Sequence, residues 1–260
     1  MKVARVKITA AITSFRYPHF LVGRQVSYDM PPPSTIYGHI VSAVGDWIDP
    51  APLQFAYTFS FVSKGSDLEY QHIISRSSPD KLTREQSASF KEWRAQNPLS
   101  VGGSIQPMLR DFLFQAELTL YLAPATLATA FRSPVFPVVL GRSQDLACVV
   151  SVEEIELEMA TGAYFENTLL PFSWRVKTPF GTTVLMPRFI SAPPDREPLF
   201  AQYIVLRKGE RLYGGDAQVP LDDRRRFLRY EDSEQWLVDP KSPQDAGVYR
   251  GVLPLSFIDS

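Results

Sequence analysis

Three short motifs in this 260-residue chain join residue types suited to holding phosphates. The first is Phe15-Arg16. The second is the corner from Pro31 to Gly38, Pro-Pro-Pro-Ser-Thr-Ile-Tyr-Gly. The proline run stops regular structure, and Ser34 and Thr35 offer N-cap hydroxyls to a helix carrying Ile36, Ile40, Val41, Val44 and Trp47 at helical spacing. A helix N-terminus so placed presents free amides and the positive end of the macrodipole, which suits a phosphate. Gly38 lets another backbone come close to the first turn. The third is Leu140-Gly141-Arg142-Ser143, where a turn can offer an amide and a guanidinium together. Each also has a plain structural reading, as a helix entry or a tight turn.

Charge is segregated. The chain has 27 basic and 28 acidic side chains, so its net charge of −1 makes no global case for a polyanion partner. Residues 1–37 hold Lys2, Arg5, Lys7, Arg16 and Arg24 against Asp29 alone, whereas residues 145–166 hold six acids and no base. Residues 76–110 carry Arg76, Lys81, Arg84, Lys91, Arg94 and Arg110 against three acids, a net of +3. Phe90 and Trp93 alternate with Lys91 and Arg94 there, a combination that stacks bases while holding phosphates. The same two aromatics at i, i+3 also suit a small local core. Asp222 to Arg229, with Arg224, Arg225 and Arg226 in a row, reads either as a solvated helix over 221–230 or as a contact for a nucleic-acid backbone or partner.

Nothing points to catalysis or to a cofactor. The three histidines, His19, His39 and His72, have no metal-ligand spacing with the single cysteine, Cys148. Tyr37 and His39 are two apart on a helix and do not share a face. No P-loop, nucleophile elbow or dinucleotide fingerprint occurs. One cysteine, no signal-peptide pattern and no long apolar run lead to the expectation of a cytoplasmic protein.

These residues need a scaffold, and the periodicities supply one. A first strand puts Ala4, Val6, Ile8, Ala10 and Ile12 on one side and Arg5 and Lys7 on the other. A helix over 34–48 follows, then a strand with Phe55, Tyr57, Phe59 and Phe61. A strand over 109–122 should bury Phe112, Phe114, Ala116, Leu118, Leu120 and Leu122. A short helix after Pro124 and a strand over 147–158 close the set. The order strand, helix, strand, strand, helix, strand predicts an α+β fold with a ferredoxin-like, RNA-recognition-motif-like core over residues 1–158. Residues 64–108 are too long for a hairpin loop and read as an insertion between the second and third strands. Residues 159–260 read as a β-rich part, with strands at 172–176, 182–190 and 202–207.

The three motifs in this order resemble the CRISPR-associated Cascade subunit that caps the 5′ handle of the guide RNA, the fifth Cas family of the RAMP superfamily. The resemblance covers roughly residues 1–158, and the proline-rich style looks closest to subtype I-B. It implies a non-catalytic RNA-binding subunit in RNA-guided DNA targeting. The core would grip the handle, the insertion over 64–108 would be a β-hairpin-type thumb folded across the first spacer nucleotides, and backbone and large subunits would be its neighbours. RNA contacts would come from Arg16, Arg24, Ser34, Thr35, Gly38, Arg76, Lys81, Arg84, Lys91, Trp93, Arg94, Arg110, Gly141, Arg142 and Ser143. One subtype of that family cuts guide precursors with Tyr, Lys and an adjacent His, and this sequence has no Lys-His pair. A metal-independent endoribonuclease and a protein-interaction scaffold without RNA contact are the alternatives.

Overall fold

The computed structural model describes residues 1–19, 23–74, 88–89, 91–92, 95–96, 103–219, 227 and 235–258. Its first elements are β1 (Lys2–Thr13), β2 (Phe15–Arg16), β3 (Arg24–Gln25), β4 (Ser27–Tyr28), α1 (Pro33–Val44), β5 (Gln54–Ser60), β6 (Ser63–Ile74), β7 (Gly103–Ala123), α2 (Ala128–Arg132) and β8 (Ala147–Glu156). Then come β9 (Glu158–Ala160), β10 (Gly162–Phe165), β11 (Leu169–Pro171), β12 (Thr182–Ile190), β13 (Pro198–Val205), β14 (Leu212–Gly215), β15 (Trp236–Asp239), β16 (Arg250–Gly251) and β17 (Leu255–Ser256). The fold is sheet-rich with few helices. Residues 1–16, 27–65 and 112–260 form one compact unit; residues 17–26 and 66–111 form another.

The first unit is built on a sheet in the order β17-β5-β7-β1-β8. Ala10 pairs with Ala116 of β7 and Ala147 of β8, and Phe55 pairs with Leu122, all antiparallel. Alternation in β1 buries Ala4, Val6, Ile8 and Ala10, and α2 packs against β1 and β8. Ile12, expected in this row, is 39% exposed at the strand end.

Arg5 lies on the other face of β1, as the alternation requires, and is buried there. Val3 packs with Ala56, Tyr121 and Val252 at one end of this face, because the strands after residue 157 return to cover it. Those later strands form one sheet in the order β14-β10-β16-β15-β9 and another in the order β11-β13-β12. Phe165, Leu170, Ile204, Leu206, Leu212 and Trp236 make their shared core.

Three local expectations are corrected. Helix α1 starts at Pro33, not Ser34, with Pro32 as N-cap and no side-chain cap hydrogen bond. Proline suits this first position because its φ is preset and it needs no amide partner there. Ser34 and Thr35 therefore lie inside the first turn. The helix stops before Ile48, since Gly45 takes φ 89° and donates its N–H to Val41 O at 2.8 Å. In β7, burial follows the expected row from Ala116 to Leu122 but changes phase at Gln115, whose φ is +50°. Leu113 is buried in place of Phe112 and Phe114. Phe172–Val176 is a 3-10 turn, not a strand, and it seats Trp174 edge-on against Phe165 and Trp236.

Candidate functional site

The entry to α1 is fixed from both sides. β2 and β4 pair Phe15 with Tyr28 and Arg16 with Ser27. The Phe15 amide donates to Ser27 Oγ at 2.9 Å, and the Phe15 ring meets Phe59 edge-on at 5.4 Å. This anchoring leaves Arg16 exposed. Downstream, Asp29 takes ion pairs from Lys64 at 3.0 Å and Arg207 at 2.6 Å. Tyr57, its hydroxyl pKa pushed up by burial, donates to Pro31 O at 2.6 Å. Ser34 and Thr35 are half-buried, and Gly38 is exposed with nothing within 4 Å of where a Cβ would stand. His39 sits on the buried face of the same helix. Among the described residues its Nε2 has no hydrogen-bond partner, and burial alone lowers its pKa to about 4.

The Gly-Arg turn packs on the end of β1. Thr13 Oγ1 donates to Leu140 O, so the turn lies two to three residues before Arg16. The first and third motifs are thus brought together. Arg142 grips the buried Asp145 with two parallel bonds, Nε to Oδ2 at 2.8 Å and Nη2 to Oδ1 at 2.7 Å. Ser143 is exposed. Gly141 has φ +99°, and a Cβ there would stand 2.5 Å from Ser14 O. Backbone strain and a clash with main chain act together, so Gly141→Ala should destabilise the fold by about 2 kcal/mol or more. A thermal midpoint equal to wild type would show that the turn relaxes without cost.

In the second unit, β3 runs parallel to β7, pairing Arg24 with Leu109 and Gln25 with Arg110. Arg24 pairs with Asp111 at 3.0 Å, and Ser66 Oγ also donates to Asp111. Arg110 is buried and paired with Glu69. Lys91 is exposed in a short helical stretch. Arg76, Lys81, Arg84, Phe90, Trp93 and Arg94 lie outside the described residues, as does the 222–229 cluster apart from Phe227.

A groove on the second face of the central sheet escaped the sequence reading. Along β1 this face passes from apolar Val3 through the Arg5 ion pairs to open space at Lys7 and Thr9. A cleft of about 680 Å³ lies there, among Thr9, Phe61, Gln115, Glu117, Asn167 and Lys208. A second cleft of about 290 Å³ shares Ser60, Glu117 and Asn167 with it and adds Lys7, Lys241 and Arg250. Thr9, Glu117 and Ser60 form one cross-strand row. Alternation alone could have revealed that row. Asn167, Lys208 and Lys241 come from distant loops that no periodicity links to it. Among the described residues, no group of three His, Cys, Asp or Glu side chains could hold a metal ion.

The fold and site define a sheet-based protein with polar, cation-bearing concavities and no assembled metal centre among the described residues. Residues 4–199 match the family model described as CRISPR-associated protein (Cas_Cas5). The chain belongs to this family, and the match extends beyond the motifs, which end at residue 143. Among solved structures, it is similar to a chain of a CRISPR RNA-guided surveillance complex, with 12% identity and a TM-score of 0.48 over 82% of this chain and 90% of that one. It is also similar to a CRISPR protein from Archaeoglobus fulgidus, with 9% identity and a TM-score of 0.41 over 79% and 86%. A further Cas protein shares 14% identity with a TM-score of 0.37 over 85% and 98%. No curated protein matches the chain.

Proposed function

We propose that this chain is a non-catalytic guide-RNA-binding subunit of a type I CRISPR effector complex, seated on the 5′ handle of the guide and joining backbone and large subunits. The carrying observation is the sheet order β8-β1-β7-β5, antiparallel throughout, in a chain of the matching family. With α1 between β1 and β5 and α2 between β7 and β8, this order supports the reading of a ferredoxin-like, RNA-recognition-motif-like core. Exposed Arg16 beside the Gly141-Arg142 turn and the cations of the sheet groove supply phosphate partners. The insertion over 64–108, whose basic residues begin at Arg76, serves in this reading as the thumb. His39, neutral and buried, is poorly placed to take a proton from a 2′-hydroxyl, which favours binding over cleavage.

The test is fluorescence anisotropy of purified protein with a labelled single-stranded RNA of the cognate repeat, repeated across salt concentrations. Binding should weaken as salt rises, with log affinity linear in log salt and a slope of about −0.7 for each phosphate neutralised. The RNA should stay intact in EDTA and in magnesium. Deleting residues 78–106 with a short Gly-Ser bridge should leave a folded core that no longer retains guide in the assembled complex. No salt-dependent binding would favour the scaffold reading, and cleavage at one position would favour the endoribonuclease.

A further inference from the structure

The 680 Å³ cleft carries a combination that neither the family match nor the motifs assign. Its wall holds two carboxamides, Gln115 and Asn167, and both have a left-handed backbone, with φ +50° and +54°. Among the described residues only two other non-glycine positions, Arg196 and Ala246, share that conformation. Such backbone costs energy and concentrates where side chains are aimed for use. Asn167 is held in place by its own carbonyl, which accepts the Phe59 amide at 2.7 Å. The side chains of Gln115, Glu117, Asn167 and Lys208 are given no hydrogen bond or ion pair by the described residues. Phe61 lies at the same cleft as the one aromatic face.

We infer that this cleft seats one unpaired nucleotide of a single-stranded RNA. The inference rests on the RNA-binding reading above and deepens it by naming a base-reading site. Phe61 offers a stacking surface, and Lys208 offers a cation for the adjoining phosphate. Gln115 and Asn167 each present a donor and an acceptor, so they can pair with the edge of any base. Glu117 only accepts. A carboxylate with two oxygens fits a base that presents adjacent donors, and guanine's N1–H and 2-amino group do so. The neighbouring cleft, with Lys7, Lys241 and Arg250, continues the path for the chain's phosphates.

The experiment compares a fluorescein-labelled oligouridine with the same oligomer carrying one internal guanosine, using the intact protein at fixed salt. The guanosine oligomer should bind about tenfold tighter, and Glu117→Gln should reduce that preference to about twofold. Gln115→Gly and Asn167→Gly keep the backbone that glycine adopts freely while removing the amide. Each should weaken the guanosine oligomer about fivefold at unchanged thermal midpoint. With 6-thioguanosine at that position, ultraviolet crosslinks should map to the peptides holding Phe61 or Glu117. Equal affinity for both oligomers with all variants behaving as wild type would overturn the pocket and leave the RNA-binding reading standing. No binding of either oligomer, or of repeat RNA, would overturn both. Protection of Phe61 from radical labelling by a neighbouring subunit, without RNA, would assign the cleft to a peptide instead.

Discussion

Replacing Asp239 with alanine is expected to remove about 3–5 kcal/mol of folding stability, the range for breaking a buried ion pair from one side. Asp239 is 1% exposed at its side chain and Arg5 is 8% exposed, and the two meet at 2.8 Å. The same carboxylate oxygen accepts the Tyr121 hydroxyl at 2.9 Å, and the other accepts the Lys241 amide at 2.9 Å. Alanine would leave a guanidinium and a phenol without their acceptor on a covered face. Glu153, which meets Arg5 at 3.1 Å, is 39% exposed and is shared with Lys241, so it offsets only part of the loss. Removing both charges is a different experiment. Arg5→Met with Asp239→Leu leaves no unpaired ion and should recover at least half of the lost stability, since an apolar pair of similar volume often matches a buried ion pair. Guanidinium unfolding of the three proteins measures this. A loss below about 1 kcal/mol for Asp239→Ala would mean that water reaches Arg5 and that the returning strands do not seal this face.

That ion pair also shows where local reading of the sequence stops. The alternation of β1 was legible, and Ala4, Val6, Ile8 and Ala10 are buried as it requires. The same alternation set Arg5 on the opposite face, but its burial against Asp239, 234 residues away, is announced by no local pattern. The corner at Pro31 was legible as a helix entry, but the hydroxyl caps were not used, since a proline at the first position makes the start one residue earlier. The burial pattern of β7 was legible only from Ala116 onward. A single left-handed residue, Gln115, shifts the phase before it, and a glutamine there gives no warning. At the candidate site, Gly141 stood out as a motif residue. The cause of its being glycine, the carbonyl of Ser14, is a tertiary fact. The groove was least legible of all, because its floor is a polar strand face and its walls come from loops around Asn167 and Lys208.

The second large effect is a pH dependence set by His39. The native imidazole is buried, and burial lowers its pKa from 6.5 to about 4. The unfolded chain binds a proton on this side chain below pH of about 6.5, whereas the native chain does so only near 4. Between those values the unfolded state holds more protons, so stability rises with pH across the window and falls as the solution is acidified. The shift of roughly 2.5 pH units corresponds to about 3 kcal/mol lost between pH 7 and pH 4, with little contribution above 7. Other carboxylates titrate in the same range, so the measurement is a difference. Wild type and His39→Phe are unfolded by denaturant at several pH values, and the gap between their stabilities is plotted. Phenylalanine keeps a flat ring in the helix face and cannot take a proton. The variant should gain relative to wild type as pH falls, by about 3 kcal/mol at pH 4 compared with pH 7. A gap that stays constant across the window would show that His39 is hydrated or finds an acceptor in solution, and that its Nε2 is not the unsatisfied buried atom described above.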